Sequence, residues 1–126
     1  GHSDGDVILH ALIDGLLGAM RKKDIGSLYP SNKMKFKNIR SPNMLIPILK
    51  ILDKERYFIN NIDINLICER PKVSKFRKKI ISSLSNLLKV NKDQINLKGK
   101  TVEKLGLIGK EKAIACEAIV SLNYNA

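Results

Sequence analysis

The sequence predicts an α/β domain in which helices pack on one side of a sheet. Two kinds of segment alternate along the chain. In one kind apolar residues recur at helical spacing, and in the other apolar and polar residues follow each other in turn, as in a strand. The chain has 126 residues, which is long enough for one domain with a substantial core. Hydrophobic residues make up 44% of it, so a disordered chain is not expected.

Three helices are predicted from the spacing of apolar residues. The first covers about residues 4–20 and has one broad apolar face. The second begins at Ser41 and Pro42, which suit the N-cap and the first helical position, and Pro47 within it is expected to kink or shorten it. The third covers about residues 74–88, again with its apolar residues on one side.

Three strands are predicted from alternating patterns, at about residues 62–68, 95–99 and 113–122. The last strand has a second face, formed by Ala115, Glu117 and Ile119, that is neither plainly solvent-exposed nor plainly core. Residues 24–40 are predicted to be loops. Thr101 is expected to cap a short helical turn that runs to Leu105.

The composition narrows the classes of function. The net charge is +11, from 23 Lys and Arg against 12 Asp and Glu, so the surface could bind nucleic acid or attract an anionic substrate. Aromatic residues make up only 5%, and a base-stacking platform is not expected. No apolar run reaches the length of a membrane span. Cys68 and Cys116 lack a metal-binding spacing, which indicates a reducing compartment.

The first ten residues combine two histidines, two aspartates and a serine immediately before and within the first helix. His2 and Ser3 precede the helix N-terminus, where free N–H groups and the helix dipole favour an anion such as phosphate. His10 lies inside the helix, four residues after Asp6, and the two can share a face. The alternative is a simple helix cap followed by an ordinary histidine of the surface or the core.

Four motifs, in order, carry a resemblance that runs from one end of the chain to the other. They are HSDGDV at 2–7 followed by HAL at 10–12, DIGSLYP at 24–30, PK at 71–72, and TVEKLG at 101–106 with a glycine at 109 and IACEA at 114–118. In these motifs the chain resembles the 2-C-methyl-D-erythritol 2,4-cyclodiphosphate synthase family.

The resemblance implies a fold, an activity and an assembly. The fold would be a mixed sheet with helices on one face, assembled as a homotrimer around a threefold axis with active sites between subunits. The activity would be a phosphorus–oxygen lyase of non-mevalonate isoprenoid biosynthesis. It converts 4-diphosphocytidyl-2-C-methyl-D-erythritol 2-phosphate to 2-C-methyl-D-erythritol 2,4-cyclodiphosphate and releases CMP. The implied cofactors are Zn²⁺ and a second divalent ion, Mg²⁺ or Mn²⁺; neither nucleic acid nor a membrane is an expected partner.

The resemblance also assigns roles to residues. His2 and Thr101 would be catalytic, His10 would bind zinc, and Glu103 would bind the second ion. The substrate-binding residues fall in the loop before the first helix, in the methylerythritol pocket and its lid, in the cytidine pocket, and in the segment that holds the phosphates. They are His2 and Ser3; Asp24, Ile25, Gly26, Tyr29, Pro30, Ser31, Asn32 and Lys33; Cys68, Glu69, Arg70, Pro71, Lys72, Val73 and Ser74; and Lys100, Thr101, Val102, Glu103, Leu107 and Lys110.

The chain departs from the family in several places. Ser31 and Lys33 stand where acidic residues are usual, and Lys110 stands where arginine is usual. The family's first two strands and an Asp-x-His pair would precede residue 1, so this sequence is expected to be an incomplete single domain that binds zinc weakly alone. Two alternatives are therefore an inactive paralogue and a basic nucleic-acid-binding α/β module. The expected location is the cytoplasm of a bacterium or a plastid-type organelle of a eukaryote.

Overall fold

The computed structural model describes residues 4–23, 41–68, 73–101, 106 and 114–126, and these contain three helices and three strands. The helices are α1 (Asp4–Ala19), α2 (Ser41–Lys54) and α3 (Arg77–Leu88), and the strands are β1 (Tyr57–Ile67), β2 (Ile95–Lys100) and β3 (Ala115–Tyr124). Two short 3₁₀ turns, Val73–Lys75 and Lys92–Gln94, precede α3 and β2. Among these residues no helix is long and apolar enough to cross a bilayer.

The three strands form one mixed sheet in the order β2-β1-β3. The central strand β1 runs parallel to β2 and antiparallel to β3. In this register Ile64 lies between Leu97 of β2 and Ala118 of β3. Because β1 and β2 are parallel, their carboxyl ends meet at the same edge of the sheet, which is where several predicted site residues follow.

One face of the sheet is covered by the helices, and we call it the helix-covered face. Its side chains on β1 are Ile62, Ile64 and Leu66, all 0% exposed. α1 packs on β3 and on α2, α2 also packs on β1, and α3 packs on β2. The predicted α/β fold with helices on one side of a mixed sheet is therefore confirmed.

The opposite face carries mostly polar side chains, and we call it the polar face. The register places Asp63 between Asn96 and Ile119, and Asn65 between Lys98 and Glu117. Ile119 is 69% exposed, whereas the buried Oδ1 atom of Asn65 has no hydrogen-bond donor among the described residues. The second face predicted for the last strand is more exposed than expected, because Glu117 and Ile119 are exposed and only Ala115 is half-buried.

α2 shows that the effect expected of Pro47 was partly wrong. The helix runs unbroken from Ser41 to Lys54, so the proline does not shorten it. Pro47 has no N–H group to donate to the carbonyl oxygen of Asn43, four residues earlier. Both residues lie on the exposed side of the helix. Water can therefore satisfy that carbonyl, while Leu45 and Ile48 stay buried on the other side.

Three other boundaries differ from the prediction. β1 begins at Tyr57 rather than residue 62, and its early part contains a register irregularity between Ile59 and Asn61 that breaks the alternation on which the prediction relied. The α-helical part of the third helix begins at Arg77, because Val73–Lys75 forms a separate 3₁₀ turn. β3 is described over Ala115–Tyr124, two residues later at each end than predicted. The predicted loop at 24–40 and the turn at 102–105 lie outside the described residues.

Candidate ligand site at the carboxyl edge of the sheet

The carboxyl ends of β1 and β2 bring together two segments that are far apart in the sequence. The backbone N–H of Cys68 donates to the carbonyl oxygen of Lys100 at 3.1 Å, which extends the ladder by one residue beyond β1. Cys68 is 5% exposed, whereas Lys100 and Thr101 are exposed at the rim. The predicted start of the cytidine pocket therefore lies beside the predicted phosphate-holding segment.

The 3₁₀ turn Val73–Lys75 returns to this edge from the helix side. Val73 is 8% exposed and packs directly against Gly99, the residue before Lys100. Ser74 follows it and is exposed. The described members of the predicted pocket, Cys68, Val73 and Ser74, thus surround the end of β2, although their binding roles remain predictions.

Arg77, in the first turn of α3, fixes this helix to β2. Its Nε donates to the carbonyl oxygen of Leu97 at 2.9 Å, and its Nη2 donates to Oδ1 of Asn96 at 3.0 Å. The side chain is half-buried, so these bonds hold the start of α3 against the strand. No sequence pattern distinguishes Arg77 for this role, because it is one of five basic or aromatic residues at 75–79.

His10, the predicted zinc ligand, lies on α1 and is half-buried. Asp6 is four residues earlier on the same face of the helix, and Asp14 is four residues later. Among the described residues no three His, Cys, Asp or Glu side chains come together as a set of metal ligands. The described residues therefore contain no complete metal site around His10, and its role as a zinc ligand stays a prediction.

Two predicted site residues, His10 and Thr101, lie beside different outer strands of the sheet. α1, with His10, packs on β3 at one edge, whereas Thr101 follows β2 at the other edge. The axes of β2 and β3 are two strand spacings apart, about 10 Å, with β1 between them. Within one chain, β1 therefore separates the strand that α1 covers from the strand that Thr101 follows.

The carboxyl edge is rich in positive charge. Lys75, in the 3₁₀ turn before α3, and Lys100, at the end of β2, are exposed, and Lys78 and Lys79 are exposed in the first turn of α3. Lys98 instead points to the polar face, where its Nζ donates to Oδ2 of Asp63 at 3.0 Å. In the described part of this edge the lysines outnumber the carboxylates, which favours anions such as phosphate esters.

The remaining predicted site residues lie outside the described part of the chain. They are His2, Ser3, Asp24, Ile25, Gly26, Tyr29, Pro30, Ser31, Asn32, Lys33, Glu69, Arg70, Pro71, Lys72, Val102, Glu103, Leu107 and Lys110. Gly99 was missing from the predicted site, and the available signal was a glycine inside a strand pattern, which often marks a close backbone approach.

These features define an α/β domain with a basic candidate ligand site where two parallel strands end. A sequence model of the YgbB family matches residues 1–123. The chain therefore belongs to the YgbB family, whose matched members include proteins named 2-C-methyl-D-erythritol 2,4-cyclodiphosphate synthase. The resemblance predicted from the four motifs is confirmed.

Three similar proteins illustrate the match. The bifunctional enzyme IspD/IspF of Pelagibacter ubique is 51% identical over 125 residues, which cover 99% of this chain and 34% of that protein. The 2-C-methyl-D-erythritol 2,4-cyclodiphosphate synthase of Wigglesworthia glossinidia brevipalpis is 51% identical over 118 residues, 94% of this chain and 74% of that enzyme. The structure of the Plasmodium falciparum IspF CDP complex has a TM-score of 0.86 and 43% identity, covering 100% of this chain and 76% of that one.

The chain covers different shares of these relatives. The chain spans about a third of the length of the bifunctional relative and about three quarters of the single-function one. Fold and family follow directly from the identity and the structural similarity.

Proposed function

We propose that this chain forms the cyclodiphosphate synthase unit of the non-mevalonate isoprenoid pathway. The observation that carries the proposal is the family match over residues 1–123, which includes every motif named above. The similarity to an IspF structure in complex with CDP supports a cytidine nucleotide as ligand. The described edge fits such a ligand, because Cys68, Val73 and Ser74 lie beside the exposed Lys100 and Thr101.

The proposed reaction exchanges one phosphate linkage for another. An oxygen of the 2-phosphate attacks the β-phosphorus of the cytidine diphosphate ester, and a new P–O–P linkage closes the ring. The bond between the β-phosphorus and the oxygen bridging it to the α-phosphorus breaks, and CMP leaves with that oxygen. Such a transfer depends mainly on positioning and on charge neutralisation. We assign positioning of the phosphates to His2 and Thr101, and attraction of the anionic substrate to the exposed lysines of the carboxyl edge.

We propose Zn²⁺ and a second divalent ion, Mg²⁺ or Mn²⁺, as cofactors, on the basis of the resemblance and of donor chemistry. His10 provides an imidazole nitrogen, which suits zinc, and Glu103 provides a carboxylate, which suits the second ion. When bound, the ions would neutralise the phosphate charge. The further zinc ligands would come from the Asp-x-His segment that the family carries upstream of this sequence.

We further propose a homotrimer whose active sites lie between subunits. His10 lies on α1, which packs on the outer strand β3, whereas Thr101 follows the other outer strand, β2. A neighbouring chain would therefore complete each site. The polar face supports assembly independently. Most of Ile119 is exposed on this face, and a buried oxygen of Asn65 has no hydrogen-bond donor among the described residues. A second copy could cover Ile119 and donate a hydrogen bond to that oxygen. The proposed compartment is the cytoplasm of a bacterium or a plastid-type organelle.

The ligand class is tested by thermal shift with CMP, CDP, AMP and ADP at equal concentration. We expect the cytidine nucleotides to raise the unfolding temperature more than the adenosine nucleotides. CMP release from the proposed substrate is then measured with and without EDTA. Equal shifts for both bases that vanish with added salt would indicate simple phosphate binding to a basic surface and would contradict the proposal.

The shared site is tested by mixing two inactive variants, His10→Ala and Glu103→Ala. If each site takes His10 from one chain and Glu103 from the next, about a quarter of the interfaces in randomly mixed trimers pair two intact halves. We therefore expect partial recovery of CMP release after subunit exchange. Native mass spectrometry verifies the exchange, and no recovery in mixed trimers would overturn the shared site.

A further inference from the structure

A groove of about 750 Å³ lies at the amino end of β1, between the second half of α2 and the end of α3. Five large hydrophobic side chains are exposed in the described part of the chain, and three of them, Ile46, Phe58 and Leu87, line this groove. Exposed apolar side chains that gather in one place mark contact surfaces. The candidate ligand site lies at the other end of β1, so the groove is a separate feature.

The walls of the groove combine this apolar surface with positive charge. The exposed and half-exposed lining residues of α2 recur at the spacing of one helix face, and they are Ile46, Leu49, Lys50 and Asp53. Lys89, which follows α3, lies on the other side. Asp53 is the one carboxylate among the described residues that line the groove, and the two lysines outnumber it. The groove therefore favours a partner whose acidic side chains flank an apolar stripe.

The side chain of Gln94 disfavours an extended peptide that would add a strand to β1. Its Nε2 donates to the carbonyl oxygens of Ile59 at 2.9 Å and of Asn60 at 3.3 Å. Its Oε1 accepts from the Asn91 N–H at 2.8 Å, which holds the amide in place. These bonds occupy carbonyl groups by which a further strand would pair with the start of β1. A helix needs no such groups, because its own backbone is paired internally.

We propose that this groove docks an amphipathic helix of a protein partner, with acidic residues beside the apolar stripe of that helix. Apolar side chains one turn apart would pack between Ile46 and Leu87, and the carboxylates would lie near Lys50 and Lys89. A flat lipid surface would contact the rim of the groove and not its floor, whereas a helix is convex and fits between two walls. Docking here is independent of the proposed reaction, since it uses the opposite end of the sheet.

Three fluorescent synthetic peptides of about 15 residues test the docking on the native protein in its assembled form. The first carries leucines on one helix face with glutamates beside them. The second has lysines in place of the glutamates, and the third is the first with two central prolines. Anisotropy at low salt should show the first binding about tenfold or more tightly than either of the others. Equal affinity of the first peptide and either of the others would overturn the inference, as would no binding.

Substitutions in the groove locate the binding. Leu87→Ser should weaken binding of the first peptide about fivefold or more, whereas Leu87→Met keeps an apolar contact and should bind nearly as the native protein does. Lys50→Glu combined with Lys89→Glu should reverse the preference, so that the lysine peptide binds more tightly. Lys23→Glu combined with Lys79→Glu removes the same charge at exposed positions outside the groove and should keep the native preference.

Circular dichroism verifies that each variant is folded. Unchanged affinity in a folded Leu87→Ser protein would overturn the inference, and so would a native preference in the protein with Lys50→Glu and Lys89→Glu. Vesicles of phosphatidylglycerol provide the rival ligand. Vesicle binding that is lost in Leu87→Ser, without binding of any peptide, would assign the groove to a lipid surface and overturn the helix.

Discussion

The two faces of the sheet are built by the same three strands, yet among the described residues only one of them is covered by helices. On the helix-covered face Ile62, Ile64 and Leu66 are fully buried against α1, α2 and α3. One residue along each strand, the side chains of the polar face are exposed or half-exposed. Its charges are partly matched, since Asp63 accepts bonds from Asn96 and Lys98, both at 3.0 Å.

The helix-covered face therefore stabilises the fold, whereas the polar face is available for contacts with another chain. Burial of the helix-covered face supplies the apolar stabilisation of the domain. The polar face adds little to it, and it carries the exposed Ile119 and a buried oxygen of Asn65 that has no hydrogen-bond donor in the described part of the chain. Four measurements test this difference between the two faces.

The largest effect is expected from Ile64→Ala on the helix-covered face. Ile64 is completely buried at the centre of β1, so the change leaves a cavity and should lower the free energy of unfolding by about 2–5 kcal/mol. Urea unfolding followed by circular dichroism, at one protein concentration, measures this. Ile46→Ala is the control, since Ile46 is 51% exposed on α2 and should cost far less. Equal losses would contradict the assignment of the core.

The second measurement concerns the thiol of Cys116 on the helix-covered face. Desolvation, reinforced by the charge of Glu117, raises the pKa of Cys116 from 9.0 to about 11. At pH 8 its thiolate fraction, and so its alkylation rate by iodoacetamide, should be about a hundredfold below that of an ordinary thiol. The rate should keep rising as the pH approaches 11.

Peptide mass spectrometry distinguishes Cys116 from the buried Cys68. The urea-unfolded chain is the control and should be alkylated rapidly at both positions. Alkylation of native Cys116 at the rate of a free thiol at pH 8 would show that this strand is not covered as described.

The third measurement addresses the polar face. Ile119→Lys places a charge where we propose that copies meet, and it should weaken assembly about tenfold or more without unfolding the chain. Sedimentation over a range of protein concentrations reports the oligomer. The same substitution at the exposed Ile46 should leave the assembly unchanged. An Ile119→Lys protein that assembles as tightly as the native one would place the interface elsewhere.

The smallest effect is expected from Lys98→Met, which removes the ion pair of the polar face. The hydrogen bond from Lys98 is the largest cause that lowers the pKa of Asp63 below 3.8, and Asn96 adds to it. A lowered folded-state pKa favours the ionised form, so its contribution is present above about pH 4 and is lost as the pH falls through the folded value. Because the pair is largely exposed, the loss at pH 7 should be under about 1 kcal/mol.

Urea unfolding at pH 7, 5, 3 and 2 follows the difference between Lys98→Met and the native protein. That difference should shrink towards zero in acid. Lys50→Met, on the exposed side of α2, provides a matched removal of one positive charge. A difference that stays constant across this pH range would contradict the linkage to Asp63.

Periodicity was sufficient to predict the elements whose side chains obey a single period. α1, α2 and β2 lie within a few residues of their predicted positions, and the alternation along residues 62–68 is the alternation between the two faces. The first part of β1 was missed because the irregularity between Ile59 and Asn61 shifts its pattern by one residue. The 3₁₀ turn before α3 was missed for a similar reason, since its single buried residue, Val73, also fits a helical pattern.

The candidate site was predictable in its residues but not in its contacts. The motifs identified Cys68, Val73, Ser74, Lys100 and Thr101 through a family resemblance, and the family is confirmed. Their proximity follows from the parallel register of β1 and β2, which local sequence does not specify. The bonds of Arg77 and the close approach of Gly99 to Val73 join residues far apart in the chain, so no local pattern could reveal them.

The packing of α1 on β3 has a consequence for how the chain folds during synthesis. The first described helix finds its largest partner in the last strand, so this contact forms only after nearly all of the intervening residues have been made. Contacts between residues so far apart in the sequence slow folding, because closing a long loop costs chain entropy before the buried surface contributes stability. Until β3 emerges from the ribosome, the side of α1 around Gly15, which lies against Ala118 and Val120, lacks that cover and is open to chaperones or to aggregation.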